Sequence, residues 1–338
     1  MSLAERWLKA AYDGSAWLTP LYPLGNLYRY IMKRRATRYA LGQQTVRRVP
    51  VPVIVVGNIT LGGTGKSPLV AWLSRWLQAQ GFSPGIVTRG YGGKAPLYPL
   101  LVTSATDPQH SGDEPLMLAQ QTGVPVVADP QRARGAAMLV QQGCDIVISD
   151  DGLQHLALGR DIELVVIDGT RGLGNQRCLP AGPLRESAAR LASVDAVIVN
   201  GALQRPLKID SVPMTLVPTR WRHLSSGEQR PLAPLPFSLP VHGLAGIGHP
   251  QRFFDTLRTL GVSGEMHPLA DHQPFDANTF RFASKRPIIM TAKDAVKCQA
   301  FAPPDSWVLE VEAQLPRAFE DWLRDRLSDL TQRGSTDG

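Results

Sequence analysis

The stretch Val53-Ile-Val-Val-Gly-Asn-Ile-Thr-Leu-Gly-Gly-Thr-Gly-Lys-Ser-Pro68 decides the fold. Its first four residues are β-branched and uninterrupted, as expected of a strand buried on both faces of a parallel sheet. Gly62, Gly63 and Gly65 then mark a turn, and Pro68 falls where the first turn of a helix tolerates a missing N–H. Strand, glycine-rich turn and helix together are the context of a P-loop. In that context backbone N–H groups approach phosphate oxygens, and the helix presents its positive end to the same anion. Thr60, Leu61, Gly62, Gly63, Thr64, Gly65, Lys66 and Ser67 are therefore the candidate nucleotide loop. Lys66 supplies a point charge for the β- and γ-phosphates, and the Ser67 hydroxyl a ligand for Mg2+. Thr60 stands where the usual pattern has its first glycine; the groups that carry the chemistry are kept.

Outward from this stretch, short β-branched runs alternate with helical ones, the signature of a parallel α/β sheet. Strands are expected at Val53 to Val56, Gly85 to Thr88, Val124 to Ala128, Asp145 to Ser149, Leu164 to Ile167 and Ala196 to Val199. Helices are expected at Pro68 to Gln80, Glu114 to Gln121, Pro130 to Gln142 and Pro183 to Ala192. From Gln204 to Pro240, Pro, Arg and Ser become frequent around the strand-like run Met214 to Val217, which reads as a linker. A second β/α pattern follows: strand Gly243 to Ile247, helix Pro250 to Leu260, strands Pro287 to Thr291 and Trp307 to Val311, and a helix from Pro316 to about Leu330. The expected division is an N-terminal helical segment over 1–48, a P-loop core over 49–205, a linker over 206–240 and a second α/β unit over 241–338.

Composition sets the frame. With 338 residues, 43% of them hydrophobic and 19% charged, the chain is long enough for two domains and lies far from disordered, collagenous or coiled-coil proteins. Three scattered cysteines give neither a disulfide framework nor zinc-ligand spacing, so a reducing compartment is expected. Charges interrupt Met1 to Ala16, so no secretory signal is expected. Lys and Arg number 36 against 29 Asp and Glu, a net charge of +7. Arg29, Lys33, Arg34, Arg35, Arg38, Arg47 and Arg48 follow an aromatic and apolar stretch from Trp7 to Ile31. Pro20, Pro23 and Gly25 break that stretch short of a membrane span, so the segment is expected to lie in a headgroup interface.

Asp150 and Asp151 end an apolar strand, where two adjacent acids are costly unless they meet cations, and both are assigned to the Mg2+ environment. Gln154 and His155 follow and are candidates to orient phosphate or acceptor. Ser111-Gly-Asp-Glu-Pro115 reads by itself as an acidic turn before a helix, capped by Ser111 or Asp113. Arg185 and Glu186 fall at an expected helix start, where the dipole favours the acid but not the cation, so Arg185 invites a phosphate. Thr88-Arg-Gly-Tyr-Gly-Gly-Lys94 suits a loop over an anionic substrate, and His272 and Thr291-Ala-Lys-Asp-Ala-Val-Lys297 place polar groups near strand ends.

Taken together, Gly57 to Pro68, Thr88 to Gly93, Gly112 to Pro115, Ser149 to His155, Leu179 to Glu186, Gly246 to Gly248 and Lys293 to Lys297 resemble, in order, the tetraacyldisaccharide 4'-kinase family of lipid A biosynthesis. The resemblance covers nearly the whole chain. It implies a P-loop NTPase-type doubly wound sheet, a second, smaller α/β domain and a β-ribbon linker. It also implies transfer of the ATP γ-phosphoryl, with Mg2+, to the 4'-hydroxyl of an acylated glucosamine disaccharide 1-phosphate at the cytoplasmic face of the inner membrane. By motif, Asp113 becomes the catalytic base and His272 its partner, Ser67, Asp150, Asp151 and Glu186 the metal side, and Arg185 a phosphate contact. Ala292 and Gln273 depart from residues common in the family. No nucleic acid and no obligate protein partner are expected. The rival readings are a P-loop ATPase that switches a partner without a lipid acceptor, and a nucleic-acid-binding module.

Overall fold

The helices α1 (Leu3–Asp13) and α2 (Tyr22–Ala40) precede β1 (Val53–Gly57), and α3 (Lys66–Ala79) follows the glycine-rich turn. The computed structural model describes residues 3–270 and 273–336. Next come β2 (Pro84–Thr88), β3 (Leu100–Val102), α4 (Pro108–Ser111), α5 (Asp113–Thr122), β4 (Val126–Ala128) and α6 (Arg132–Gln141). The N-terminal part closes with β5 (Ile146–Asp150), β6 (Ile162–Asp168) and β7 (Ala196–Asn200). Its strand order is β7-β6-β1-β5-β2-β4-β3, all parallel except β3.

The unbroken apolar strands are explained by a core on each face. Ile54 and Val56 pack with Leu69, Leu73 and Leu77 of α3, whereas Val53 and Val55 pack with Ala136 and Leu139 of α6. Helices thus cover both faces, and the C-terminal ends of β1, β5, β6 and β7 share one rim, where open α/β sheets bind their ligands.

The C-terminal part contains β8 (Val212–His223), β9 (Gln229–Arg230), β10 (Val241–Ala245), α7 (Pro250–Thr259), β11 (Gly264–Pro268), β12 (Ile288–Thr291), α8 (Ala292–Cys298), β13 (Ser306–Gln314) and α9 (Arg317–Thr336). β8 is the seam. Its first residues run parallel to β7, and the rest pairs antiparallel with β13 in a long two-stranded ribbon. The smaller sheet β11-β10-β12-β13 is thereby continuous with the larger. After β13 the chain returns: Phe319, Leu323 and Leu327 of α9 bury themselves in the α3 core of the N-terminal part.

Two expectations fail. The helix expected over Pro183 to Ala192 is absent; Thr60 and Leu184 form a bridge, and only a 3-10 turn, Ala188–Ser193, follows. The backbone N–H of Arg185 goes to Ile59 O at 2.7 Å instead of to a helical carbonyl. Gly25 does not break the apolar segment but lies inside α2, where a Cβ would meet Ala181 Cβ at 2.8 Å, and Pro23 occupies the first turn, where no donor is lost. No helix among the described residues is long and apolar enough to cross a membrane.

Candidate active site

The glycine-rich turn is held from three sides. Gly65 has φ 96° and caps α3; a Cβ there would lie 2.4 Å from Asn200 Nδ2, which donates to Thr64 O at 3.1 Å. Leu61 N donates to Pro183 O at 2.9 Å, so Pro183 to Arg185 runs beside the loop as a short ladder. From α1, Tyr12 Oη donates to Leu61 O at 2.5 Å. Thr60 and Thr64 are buried, and the loop is therefore preorganised by residues from three separate segments.

Lys66, Arg185 and Asp151 meet behind this loop. Lys66 Nζ lies 3.5 Å from Asp151 Oδ1, and Arg185 Nη1 donates to the same oxygen at 2.9 Å and to Asn58 Oδ1 at 3.0 Å. Burial raises the Asp151 carboxyl, but Lys66 and Arg185 outweigh it and hold the group at about 2. Asp151 also has φ 49°, a left-handed conformation rare outside Gly, Asn and Asp. Asp150 differs in every respect: it is buried, its Oδ1 has no hydrogen-bond partner among the described residues, and burial, with Glu114 adding to it, pushes its carboxyl upward.

Arg185 and Glu186 do not open an α-helix; the ladder with the loop presents them. Glu186 accepts from Gln154 Nε2 at 2.7 Å and lies 3.5 Å from Arg190 Nε, with burial raising its carboxyl. His155 is pushed down to about 4 by burial and by Arg132, so it is neutral at pH 7.

Asp113 is the first residue of α5, and the cap position belongs to Gly112, φ 84°. A Cβ on Gly112 would lie 2.3 Å from Tyr91 O, and Lys94 N donates to Gln109 O at 2.7 Å, so the loop Thr88 to Lys94 packs directly on this turn. Across from it, Lys297 Nζ of α8 lies 4.0 Å from Asp113 Oδ2 and 3.1 Å from Asp294 Oδ1, and Lys293 Nζ lies 3.1 Å from Glu114 Oε1. Asp294 is fully buried and accepts from Gly246 N at 3.0 Å and Thr291 Oγ1 at 2.7 Å. His272 lies outside the described residues. A cleft of about 260 Å³ opens between the two parts; Gly63 to Pro68 and Asn200 form one wall, and Ile247, Phe253, Leu309 and Lys293 the other. Arg171 donates to Gly248 O across it.

The family model for tetraacyldisaccharide-1-P 4'-kinase matches residues 17–328. The chain belongs to this kinase family. It is 48% identical to the tetraacyldisaccharide 4'-kinase of Azotobacter vinelandii over 98% of its own length and 99% of that protein's, and 47% identical to the one from Pseudomonas fluorescens over 98% of each. The LpxK crystal structure from Aquifex aeolicus, in complex with ATP, superposes with a TM-score of 0.77 at 26% identity, covering 92% of this chain and 99% of that one. As a member of the 4'-kinase family the chain is a phosphotransferase acting on a hydroxyl group, built on a P-loop α/β fold.

Motif reading passed over two groups near the glycine-rich loop of this family member, Arg132 by its charge beside Asp151 and Asn200 by its bond to Thr64. Arg132 is buried, its Nε has no hydrogen-bond partner among the described residues, and burial, partly offset by Asp151, lowers it to about 10. The signal was available, since a cation in the first turn of α6 is as ill-placed for the helix dipole as Arg185 was judged to be. Asn200, which locks Thr64, carried no local signal.

Proposed function

We propose that the chain transfers the γ-phosphoryl group of ATP to the 4'-hydroxyl of a tetraacylated glucosamine disaccharide 1-phosphate. The observation that carries this reading is Lys66, held 3.5 Å from Asp151 on a glycine-rich loop beside a buried Asp150 oxygen that has no hydrogen-bond partner among the described residues. ATP is the molecule in the Aquifex aeolicus relative's structure, and tetraacyldisaccharide is the acceptor in the relatives' names.

The hydroxyl oxygen bonds to the γ-phosphorus as the bond to the β-phosphate oxygen breaks, and ADP leaves. Asp113 takes the hydroxyl proton, with His272 as its partner; Lys297 at 4.0 Å holds the carboxylate in place. The loop from Thr60 to Ser67 cradles the phosphates, Lys66 gives up its pairing with Asp151 to meet them, and Arg185 supplies a further cation. The apolar wall with Ile247 and Phe253 suits a purine.

Ser67, Asp150, Asp151 and Glu186 would hold Mg2+. An all-oxygen donor set suits this hard cation, and an ion would supply the partner that Asp150 Oδ1 lacks. Of the four, Asp151 is engaged by Lys66 and Arg185, and Glu186 by Gln154 and Arg190. When bound, Mg2+ neutralises charge on the β- and γ-phosphate oxygens.

The acceptor is a lipid, and α2 offers a surface for reaching it. Leu24, Leu27, Tyr30 and Ile31 are exposed on this helix, followed by Lys33, Arg34 and Arg38, a pairing suited to the anionic cytoplasmic face of the inner membrane. The deciding experiment incubates the protein with γ-labelled ATP, Mg2+ and vesicles containing the acylated disaccharide 1-phosphate. Label appearing in the lipid is expected; release of free phosphate at the same rate with and without lipid, and no labelled lipid, would overturn the reading in favour of an ATPase. Sedimentation of the same vesicles tests the docking surface, which is refuted if changing Leu24, Leu27, Tyr30 and Ile31 to Ser leaves the pelleted fraction unchanged.

A further inference from the structure

His242, Glu265 and His267 converge at the far edge of the smaller sheet. β11 is the edge strand and pairs in parallel with β10 alone, His242 opposite Glu265 and Leu244 opposite His267. His242 Nδ1 lies 3.1 Å from His267 Nε2 and 3.6 Å from Glu265 Oε2, and that oxygen lies 3.9 Å from His267 Nε2. Ligands 2.0–2.1 Å from a tetrahedral Zn2+ stand about 3.4 Å from one another, so the triangle already has nearly the required size.

The surrounding groups fix the right atoms. His242 Nε2 lies 3.1 Å from Ser284 O and 3.3 Å from Ser284 Oγ; in the tautomer that donates to the carbonyl, the lone pair of His242 sits on Nδ1, inside the triangle. Arg286 Nη1 takes the other carboxylate oxygen, Glu265 Oε1, at 3.3 Å, leaving Oε2 toward the histidines. The Phe282 ring stacks on His242 with centroids 4.0 Å apart and packs against His267 at 4.6 Å, covering the pair with apolar surface. None of the three residues lines the cleft. His242 precedes Gly246 by four residues of extended chain, about 13 Å, so the cluster is separate from the phosphate chemistry.

We propose that His242, Glu265 and His267 form a binding site for a divalent transition cation of the Zn2+ class, with a fourth position open to water. Two imidazoles and one carboxylate select such an ion over Mg2+, which asks for an all-oxygen set. Without the ion, His267 Nε2–H donates to His242 Nδ1; the ion replaces that bond, and the His267 proton moves to Nδ1. The consequence is a clasp that ties the edge strand β11 to β10.

The test uses the full chain, stripped with chelator and free of ATP and Mg2+, titrated with Zn2+ against a chromophoric chelator and with Co2+ as a spectroscopic probe. One equivalent of Zn2+, an intense tetrahedral Co2+ absorption and a Zn2+-dependent rise in Tm are expected. Loss of a group that only hydrogen-bonds a metal ligand weakens metal sites about 10–100-fold, so His267→Ala, which removes a ligand, is expected to bind at least about 100-fold more weakly. Glu265→Gln, on an exposed side chain, gives an independent second variant, and both are expected to keep the wild-type kinase rate with Mg2+. Uptake of no ion at one equivalent by the wild type, or binding by both variants as tight as wild type, would overturn the proposal.

Discussion

The two walls of the cleft hold their charges in different ways. Behind the loop wall the pairing is incomplete among the described residues: Lys66 stands 3.5 Å from Asp151, and neither Asp150 Oδ1 nor Arg132 Nε has a hydrogen-bond partner. On the α8 wall Asp294 satisfies a backbone N–H, a hydroxyl and Lys297 at once, and the Lys297 side chain is 4% exposed. Unsatisfied polar groups at the rim of a parallel sheet are the mark of a site waiting for a ligand; saturated buried ones are the mark of a brace. Lys297 joins the two, because the same ammonium reaches Asp113.

Four measurements break or sharpen that contrast. The largest effect is expected from Lys66→Ala, which removes the loop's mobile cation and is expected to lower kcat/KM about 10³-fold with Tm nearly unchanged. A rate near wild type would end the contrast at once. Asp294→Ala touches the brace, leaving Lys297 buried without its nearest partner and Gly246 N–H unsatisfied. A loss of about 3 kcal/mol in denaturant unfolding is expected, and a loss below about 1 would show that this wall is not a brace.

Asp113→Asn sits where the walls meet. It is expected to lower kcat about 10²-fold while leaving the KM for ATP nearly unchanged, and unaltered kcat would remove it as the base. The smallest effect concerns Asp151, whose carboxyl is held at about 2, below the unfolded value near 3.9. A depressed carboxyl contributes stability above its unfolded pKa and loses it as pH falls through the folded one. Asp151→Asn, which keeps a residue tolerant of φ 49°, is therefore expected to flatten the fall in stability between about pH 4 and pH 2, by less than about 1 kcal/mol for so partly exposed a group. Parallel losses in wild type and variant would show that Lys66 and Arg185 do not hold this charge.

Asp113 shows where local reading stops. A carboxylate two residues before Pro115 at a helix start reads as a cap, and only the resemblance of the surrounding motifs suggested otherwise. The structure gives the cap position to Gly112 and brings Lys297 from the far wall. Arg185 shows the converse. Its mismatch with a helix dipole singled it out, although no helix is there; Leu179-Pro-Ala-Gly-Pro183 turns back on itself, with Ala181 N donating to Cys178 O and Leu179 N to Leu184 O, and the neighbouring loop supplies the partners of Pro183 O and Arg185 N. The strand β11 and the helix α8 carried too little periodicity to be seen: one is a half-exposed edge, the other spans only Ala292–Cys298.

By itself the sequence determined the alternation of strand and helix, the phosphate loop and the family, because β-branched runs, glycine spacing and a lysine beside a serine act over a few residues. Tertiary structure alone decided which charges are saturated and which are left open. Lys66 with Asp151, Lys297 with Asp113, Asn200 with Thr64 and His242 with His267 are pairs of residues distant in the chain. Whether such a pair forms depends on how β8 and β13 join the two sheets and where the rims of those sheets meet. No local pattern encodes that distance, since the energy that sets it is the burial of the whole of both cores.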